Sequence, residues 1–164
     1  MIIVSDTTPI ISLIKIKHLE LLKKLFKKVI IPYAVYSELT SNSAFIDEIA
    51  EVRNATFLEV LSVNNEEAVR LFSKGTGLDV GESETIVLAE ELNAELILMD
   101  ERKGRIIAKQ MGLQITGTLG ILIESYHAKL ISSNDVQEYM DLLIESGVRI
   151  SKTLYNNILE YVNR

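Results

Sequence analysis

The sequence predicts an α/β fold, a three-layer α/β/α sandwich around a parallel central sheet of about five strands, with further helices at the C-terminal end. Three observations lead there. Five short runs, at 2–5, 29–31, 57–61, 96–99 and 113–116, are β-branched or leucine-rich and mostly lack apolar–polar alternation. That pattern suits strands covered on both faces, as in parallel sheets. Segments of helical spacing separate the runs, and acids close two of them.

The elements follow in order. After the run 2–5, Thr8 is a plausible N-cap with Pro9 at an early helical position, and Ile10, Leu13 and Ile14 follow at helical spacing. Leu19, Leu22 and Phe26 form a second apolar stripe opposite a lysine-rich face. Pro32 ends the second strand and opens a short helix through Thr40. A Ser/Asn turn at 41–43 leads into 45–52. Asn64 can cap a helix holding Ala68, Val69, Leu71 and Phe72. The segment 74–78, with Gly75 and Gly77, reads as loop, and 82–92 as strong helix. Another helix covers 119–130. Ser132, Ser133 and Asn134 cap a helix with Val136, Tyr139, Met140, Leu143 and Ile144 inward, and Gly147 is a fitting stop. A last helix carries Leu154, Ile158, Leu159 and Val162. This C-terminal pair packs on the main sheet or on a second copy of the chain.

At 164 residues and 48% apolar, the chain is long enough for a sizeable core and too apolar to be disordered. It has no cysteine, so disulfides and thiolate metal sites are excluded. The start, Met1 to Asp6, lacks the basic region of a signal peptide, and no apolar run approaches the ~18 residues of a membrane span. A cytoplasmic location is expected. The net charge of −6 argues against wholesale coating of nucleic acid. Lys15, Lys17, Lys23, Lys24, Lys27 and Lys28 nonetheless crowd one stretch, and the pairs Lys23/Lys27 and Lys24/Lys28 are spaced to share a helix face. Such a cluster is either a solvated face or a phosphate-contacting patch.

Four acids carry the chemistry. Asp6 lies where a strand turns into a helix, between Ser5 and Thr7, whose hydroxyls can orient it or hold water. It can equally cap the next turn. Asp100 closes a buried strand, where a lone carboxylate is costly without a positive or hydrogen-bonding partner. Arg102 or Arg105 is that partner in one reading and a cation in the other; both arginines can also reach phosphates. Glu82 lies three residues after Asp79, the spacing of a capping box. Glu84 points about 200° away from it on a helix. Glu38, on a short helix, is by itself an ordinary surface acid.

Other chemistries find little support. Gly75, Gly77 and Gly81 miss the dinucleotide fingerprint by one residue, and no phosphate-binding P-loop or G-x-S-x-G elbow is present. His18 and His127 are isolated. A phosphotransfer receiver or phosphatase lacks its second acid beside Asp6.

Taken jointly, the order of these acids resembles the PIN-domain ribonuclease family, VapC-like enzymes. Asp6 matches the strand-ending Asp near its N-terminus, Glu38 the Glu of an early helix, Glu82 the acid opening a central helix, and Asp100 the Asp after the next strand. The segments Asp6-Thr7-Thr8-Pro9-Ile10, Gly81-Glu82-Ser83-Glu84-Thr85-Ile86, Asp100-Glu101-Arg102-Lys103-Gly104-Arg105 and Gly117-Thr118-Leu119-Gly120 are similar to a prokaryotic PIN-like subfamily of the DUF3368 type. The third acid departs from the pattern, being Glu where PIN toxins often carry Asp. The resemblance implies a nuclease domain over residues 1–130 and a C-terminal helical extension over 131–164 packed on it. It implies Mg²⁺- or Mn²⁺-dependent hydrolysis of RNA. Asp6 and Asp100 would be the main metal ligands, and Glu38 and Glu82 would complete the pocket. Ser5, Thr7 and Thr118 would support them, with Arg102, Arg105, Lys23 and Lys27 on the substrate. A small antitoxin partner and a homodimer follow as expectations. The alternative is a weak or inactive PIN-like module that binds RNA or protein.

Overall fold

A computed structural model describes residues 1–42 and 45–164. The strands are β1 (Ile3–Ser5), β2 (Val29–Pro32), β3 (Leu58–Leu61), β4 (Leu96–Leu98) and β5 (Ile115–Thr116). They form one sheet in the order β3-β2-β1-β4-β5, every pair parallel. Among the described residues the helices are α1 (Thr7–Lys15), α2 (Glu20–Phe26), α3 (Tyr33–Thr40), α4 (Ile46–Asn54), α5 (Glu66–Thr76), α6 (Val80–Glu91), α7 (Arg102–Gln110), α8 (Thr118–His127), α9 (Ser133–Glu145) and α10 (Lys152–Val162).

The missing alternation in the strand runs has a simple cause. Successive strand side chains point to opposite faces, and both faces are covered. Ile3, Val29, Ile31 and Leu98 enter one core with Ile10, Leu13, Leu22, Val35, Ile121 and Leu122 from the helices of that layer. Val4, Ile30, Ile97 and Met99 enter the other with Val69, Ile86, Leu88 and Ala108 from α5, α6 and α7. Helices α9 and α10 join the first core through Val136, Tyr139, Met140, Leu143, Ile158 and Val162, whereas Ile144, expected inward, is exposed on the far side of α9. The Tyr126 hydroxyl donates to the Val162 carbonyl at 3.0 Å, tying α8 to α10. No helix among the described residues is long and apolar enough to cross a membrane.

Several local expectations are corrected. The cap of α1 is Asp6, not Thr8, which puts Pro9 inside the first turn. The cap of α5 is Asn65, whose side chain accepts from the Ala68 N–H; Glu91 occupies the Asn64 N–H instead. Residues 74–76, expected as loop, complete α5, which stops at Gly77 with a left-handed φ of 74°. The charged stretch after Asp100 is helix α7, not foreseen because it buries only Gly104 and Ala108. Ser43, in the expected turn, lies outside the described residues. Helix α2 ends at Phe26, and Lys27 takes a positive φ of 64°. Neither Lys23 and Lys27 nor Lys24 and Lys28 therefore share a helix face, and Lys28 pairs with Glu59 on β3.

Candidate active site

The chain runs outward from β1 through β2 to β3, then returns to lay β4 and β5 on the other side of β1. The carboxyl ends of β1 and β4 therefore flank the point where strand order reverses. Open α/β sheets form their ligand crevice there. The Asp6 N–H donates to the Leu98 carbonyl at 2.9 Å, carrying the β1–β4 ladder one step past Ser5. Met99 donates to Thr116 at 2.9 Å and places Asp100 at the neighbouring exit. Glu38 reaches this edge from α3 and Glu82 from the first turn of α6.

Asp6 is the buried member, 4% exposed. It occupies the N-cap position of α1, yet its side chain makes no capping hydrogen bond. Its carboxyl is pushed up to about 7, chiefly by burial and then by the negative charges of Glu82, Asp79 and Glu38; only the Thr7 N–H favours the ionised form. Burial also raises Glu82, opposed by its bond from the Asp79 N–H and reinforced by Asp79, Glu101 and Glu38. Among the described residues no ion pair involves any of these acids or Asp100. They repel one another without a positive partner.

Each of the other acids has an oxygen engaged. Thr7 Oγ1 donates to Glu38 Oε2 at 2.8 Å, so this hydroxyl holds a carboxylate. Asp79 and Glu82 complete the reciprocal box, 2.8 Å from the Glu82 N–H to Asp79 Oδ1 and 3.0 Å from the Asp79 N–H to Glu82 Oε2. Glu84 turns to α3 and accepts the Ala34 N–H at 2.9 Å, bracing the helix that carries Glu38.

Asp100 is met by Thr118, not by an arginine. The Thr118 N–H donates to Oδ1 at 2.7 Å and its hydroxyl to Oδ2 at 2.5 Å. Gly117 permits this approach, since a Cβ there would fall 2.5 Å from Asp100 Oδ1 and 2.9 Å from Arg105 Nη1. Arg105 instead donates to the Met99 carbonyl at 2.8 Å, fixing the exit of β4. Arg102 is exposed in the first turn of α7. Ser5 is fully buried, and its hydroxyl bonds the Asp6 carbonyl at 2.9 Å.

Two expected substrate contacts are not brought to the acids. Lys27 lies two residues before Val29, the start of β2, and Lys23 one helical turn earlier. Both therefore sit by the amino edge of the sheet, whereas the acids sit at the carboxyl edge. Two neighbours went unread as electrostatic partners. Asp79 was legible only as a cap, and Glu101, whose side chain caps α7 through the Gly104 N–H, carried no signal of its own.

Carboxylate oxygens are the donor set of hard cations such as Mg²⁺ and Mn²⁺, and a buried Asp6 without counter-charge fits such an ion. The described residues contain no group of three His, Cys, Asp or Glu side chains close enough to hold a metal as they stand. To hold an ion together these carboxylates would have to draw closer, from positions where Thr7, Asp79 and Thr118 now engage Glu38, Glu82 and Asp100.

A family model described as a PIN domain, DUF3368, matches residues 2–164. No curated protein matches the chain.

Proposed function

The chain belongs to DUF3368, a family of PIN domains, and since PIN domains are generally nucleases that use divalent metal ions, we propose that it is a metal-dependent endoribonuclease. The observation that carries the reading is Asp6, a buried carboxylate at the switch point, surrounded by Glu82, Asp79 and Glu38 and paired with no cation. When bound, Mg²⁺ or Mn²⁺ lowers the pKa of a water and stabilises charge on phosphoryl oxygens. Asp6 and Asp100 are the residues we assign to hold it, with Glu82 and Glu38 completing the negative pocket. Thr7 orients Glu38, and Thr118 orients Asp100. Arg105 acts on the backbone at Met99, and Arg102 offers its charge to a phosphate from the rim.

The test is cleavage of end-labelled, mixed-sequence RNA in Mn²⁺ or Mg²⁺, with EDTA and Asp6→Asn controls. Cleavage lost in both controls supports the reading; equal cleavage by Asp6→Asn refutes it. A second reading, a binding module without catalysis, draws on Asp100, both of whose oxygens Thr118 occupies. Absence of Mn²⁺ binding together with retained RNA binding selects it. The same family reading extends to a toxin role, with a small antitoxin and a second copy of the chain as partners. Exposed Leu142, Ile144, Leu154 and Tyr161 on α9 and α10 support the second copy, and the mass of the particle in solution tests it.

A further inference from the structure

Two clefts open on either side of Glu38. One, a cavity of about 500 Å³, lies between α1, α3 and α4 and is lined by Ile11, Ile14, Leu39 and Val52, with Phe45 and Lys15. The other, about 560 Å³ and more open, lies between α3 and the start of α6, with Tyr33 beside Asp79 and Gly81. Glu38 and Ser41 line both. Among the described residues, three aromatic side chains stand with the exposed large hydrophobic ones: Tyr33 at 59%, Phe45 at 54% and Tyr161. Two of the three therefore flank the same acid, one in each cleft.

We propose that Tyr33 and Phe45 are base-stacking platforms for consecutive unpaired nucleotides of a single strand whose backbone crosses Glu38. This rests on the nuclease reading and names the residues that seat the bases beside its acids. The clefts are within the size range of small-ligand sites; the Phe45 cleft has mainly apolar walls, whereas the Tyr33 cleft is polar, with Glu38, Asp79 and Glu84 in its lining. Each offers one ring, which suits a single base rather than a helix face. Stacking is tolerant of sequence because every base has a π-face, and paired bases in a duplex cannot reach such rings. Lys15 lines the Phe45 cleft with Glu38 and Glu48 and is, among the described residues, its one positive charge for a phosphate.

The test uses the whole protein and fluorescent single-stranded RNA oligonucleotides of about ten residues, in Ca²⁺ and in EDTA, read by anisotropy. Tyr33→Ala and Phe45→Ala are each expected to weaken binding by about 5- to 150-fold. Leu71→Ala, an exposed apolar side chain on α5 outside both clefts, should leave it unchanged. Oligonucleotides with an abasic residue at the matching position should lose a similar factor against wild type and lose nothing further against the alanine variant. The chain has no tryptophan, so Phe45→Trp and Tyr33→Trp each install a single fluorophore. Base stacking should quench its emission on adding the RNA. Wild-type binding with unchanged affinity in both alanine variants, equal binding of abasic probes and no quenching would overturn this proposal alone, and would leave the clefts to a protein partner. No oligonucleotide binding by wild type would overturn it together with the nuclease reading.

Discussion

Replacing Asp6 with asparagine should remove one pH-dependent component of stability. The Asp6 carboxyl ordinarily titrates at 3.8 and is pushed to about 7 in the folded chain, first by burial and then by Glu82, Asp79 and Glu38. Between those values the folded state holds a proton that the unfolded chain has lost. Stability therefore falls as pH rises, the reverse of a salt-bridged aspartate. The contribution is complete below about pH 4 and gone above about pH 7. A difference of about 3.2 in pKa, at 1.36 kcal/mol each, corresponds to about 4 kcal/mol. From about pH 5 to about pH 8 the share lost is roughly 2.7 kcal/mol, or about 1.3 M in urea midpoint if m is about 2 kcal/mol/M. Urea denaturation of wild type and Asp6→Asn across this range in EDTA reads it directly. Asparagine stays neutral, so the difference between the two profiles removes the titration of groups that both proteins share. That difference should favour Asp6→Asn progressively with pH. A flat difference, or one of opposite slope, would refute the argument that Asp6 is buried among acids without a positive partner.

Metal should offset that loss. At a hundredfold excess over its Kd, Mn²⁺ should stabilise wild type at pH 8 by about 2.7 kcal/mol and leave Asp6→Asn near its metal-free value, read by thermal shift. Gly117→Ala changes no favourable backbone angle, since φ is −113° and ψ −172°, but it drives a methyl into Asp100 Oδ1. RNA cleavage should fall about 10²-fold while the fold persists by circular dichroism. Asp79→Ala should cost about 1 kcal/mol through the lost cap, and should move the Asp6 midpoint in the pH–stability profile downward because one repelling charge is gone. Glu84→Ala leaves the Ala34 N–H without its acceptor and should cost about 1 kcal/mol and weaken Mn²⁺ binding, whereas Glu84→Gln keeps an accepting oxygen and should restore both.

What could be read in the sequence and what could not divide along a physical line. The inner strands were legible because they are buried on both faces, a requirement written into consecutive residues such as Val29, Ile30 and Ile31 or Ile97, Leu98 and Met99, whereas the edge strands β3 and β5 are only partly buried and showed through their leucine and β-branched content. The Asp79–Glu82 box was legible because its bonds close within three residues. Helix α7 was not, since it turns a single thin stripe, Gly104 and Ala108, to the core while charges cover the rest. The roles of Glu84 and Thr118 were not either, because their partners lie 50 and 18 residues away and depend on how α6 meets α3 and how β5 exits beside β4. The lysines show the same limit from the other side. A four-residue spacing suggests one helix face for Lys23 and Lys27, but the helix stops at Phe26 before Lys27, and only strand direction says which edge of the sheet the two overlook. Asp6 and Asp100 escape it because each directly follows a strand, and a residue that follows a parallel strand is committed to the carboxyl edge. The acids that could be placed from sequence are those whose position is fixed by the strand they end. Glu38 and Glu82 depend on helix packing, and their contribution is what Glu84→Ala and Asp79→Ala are chosen to measure.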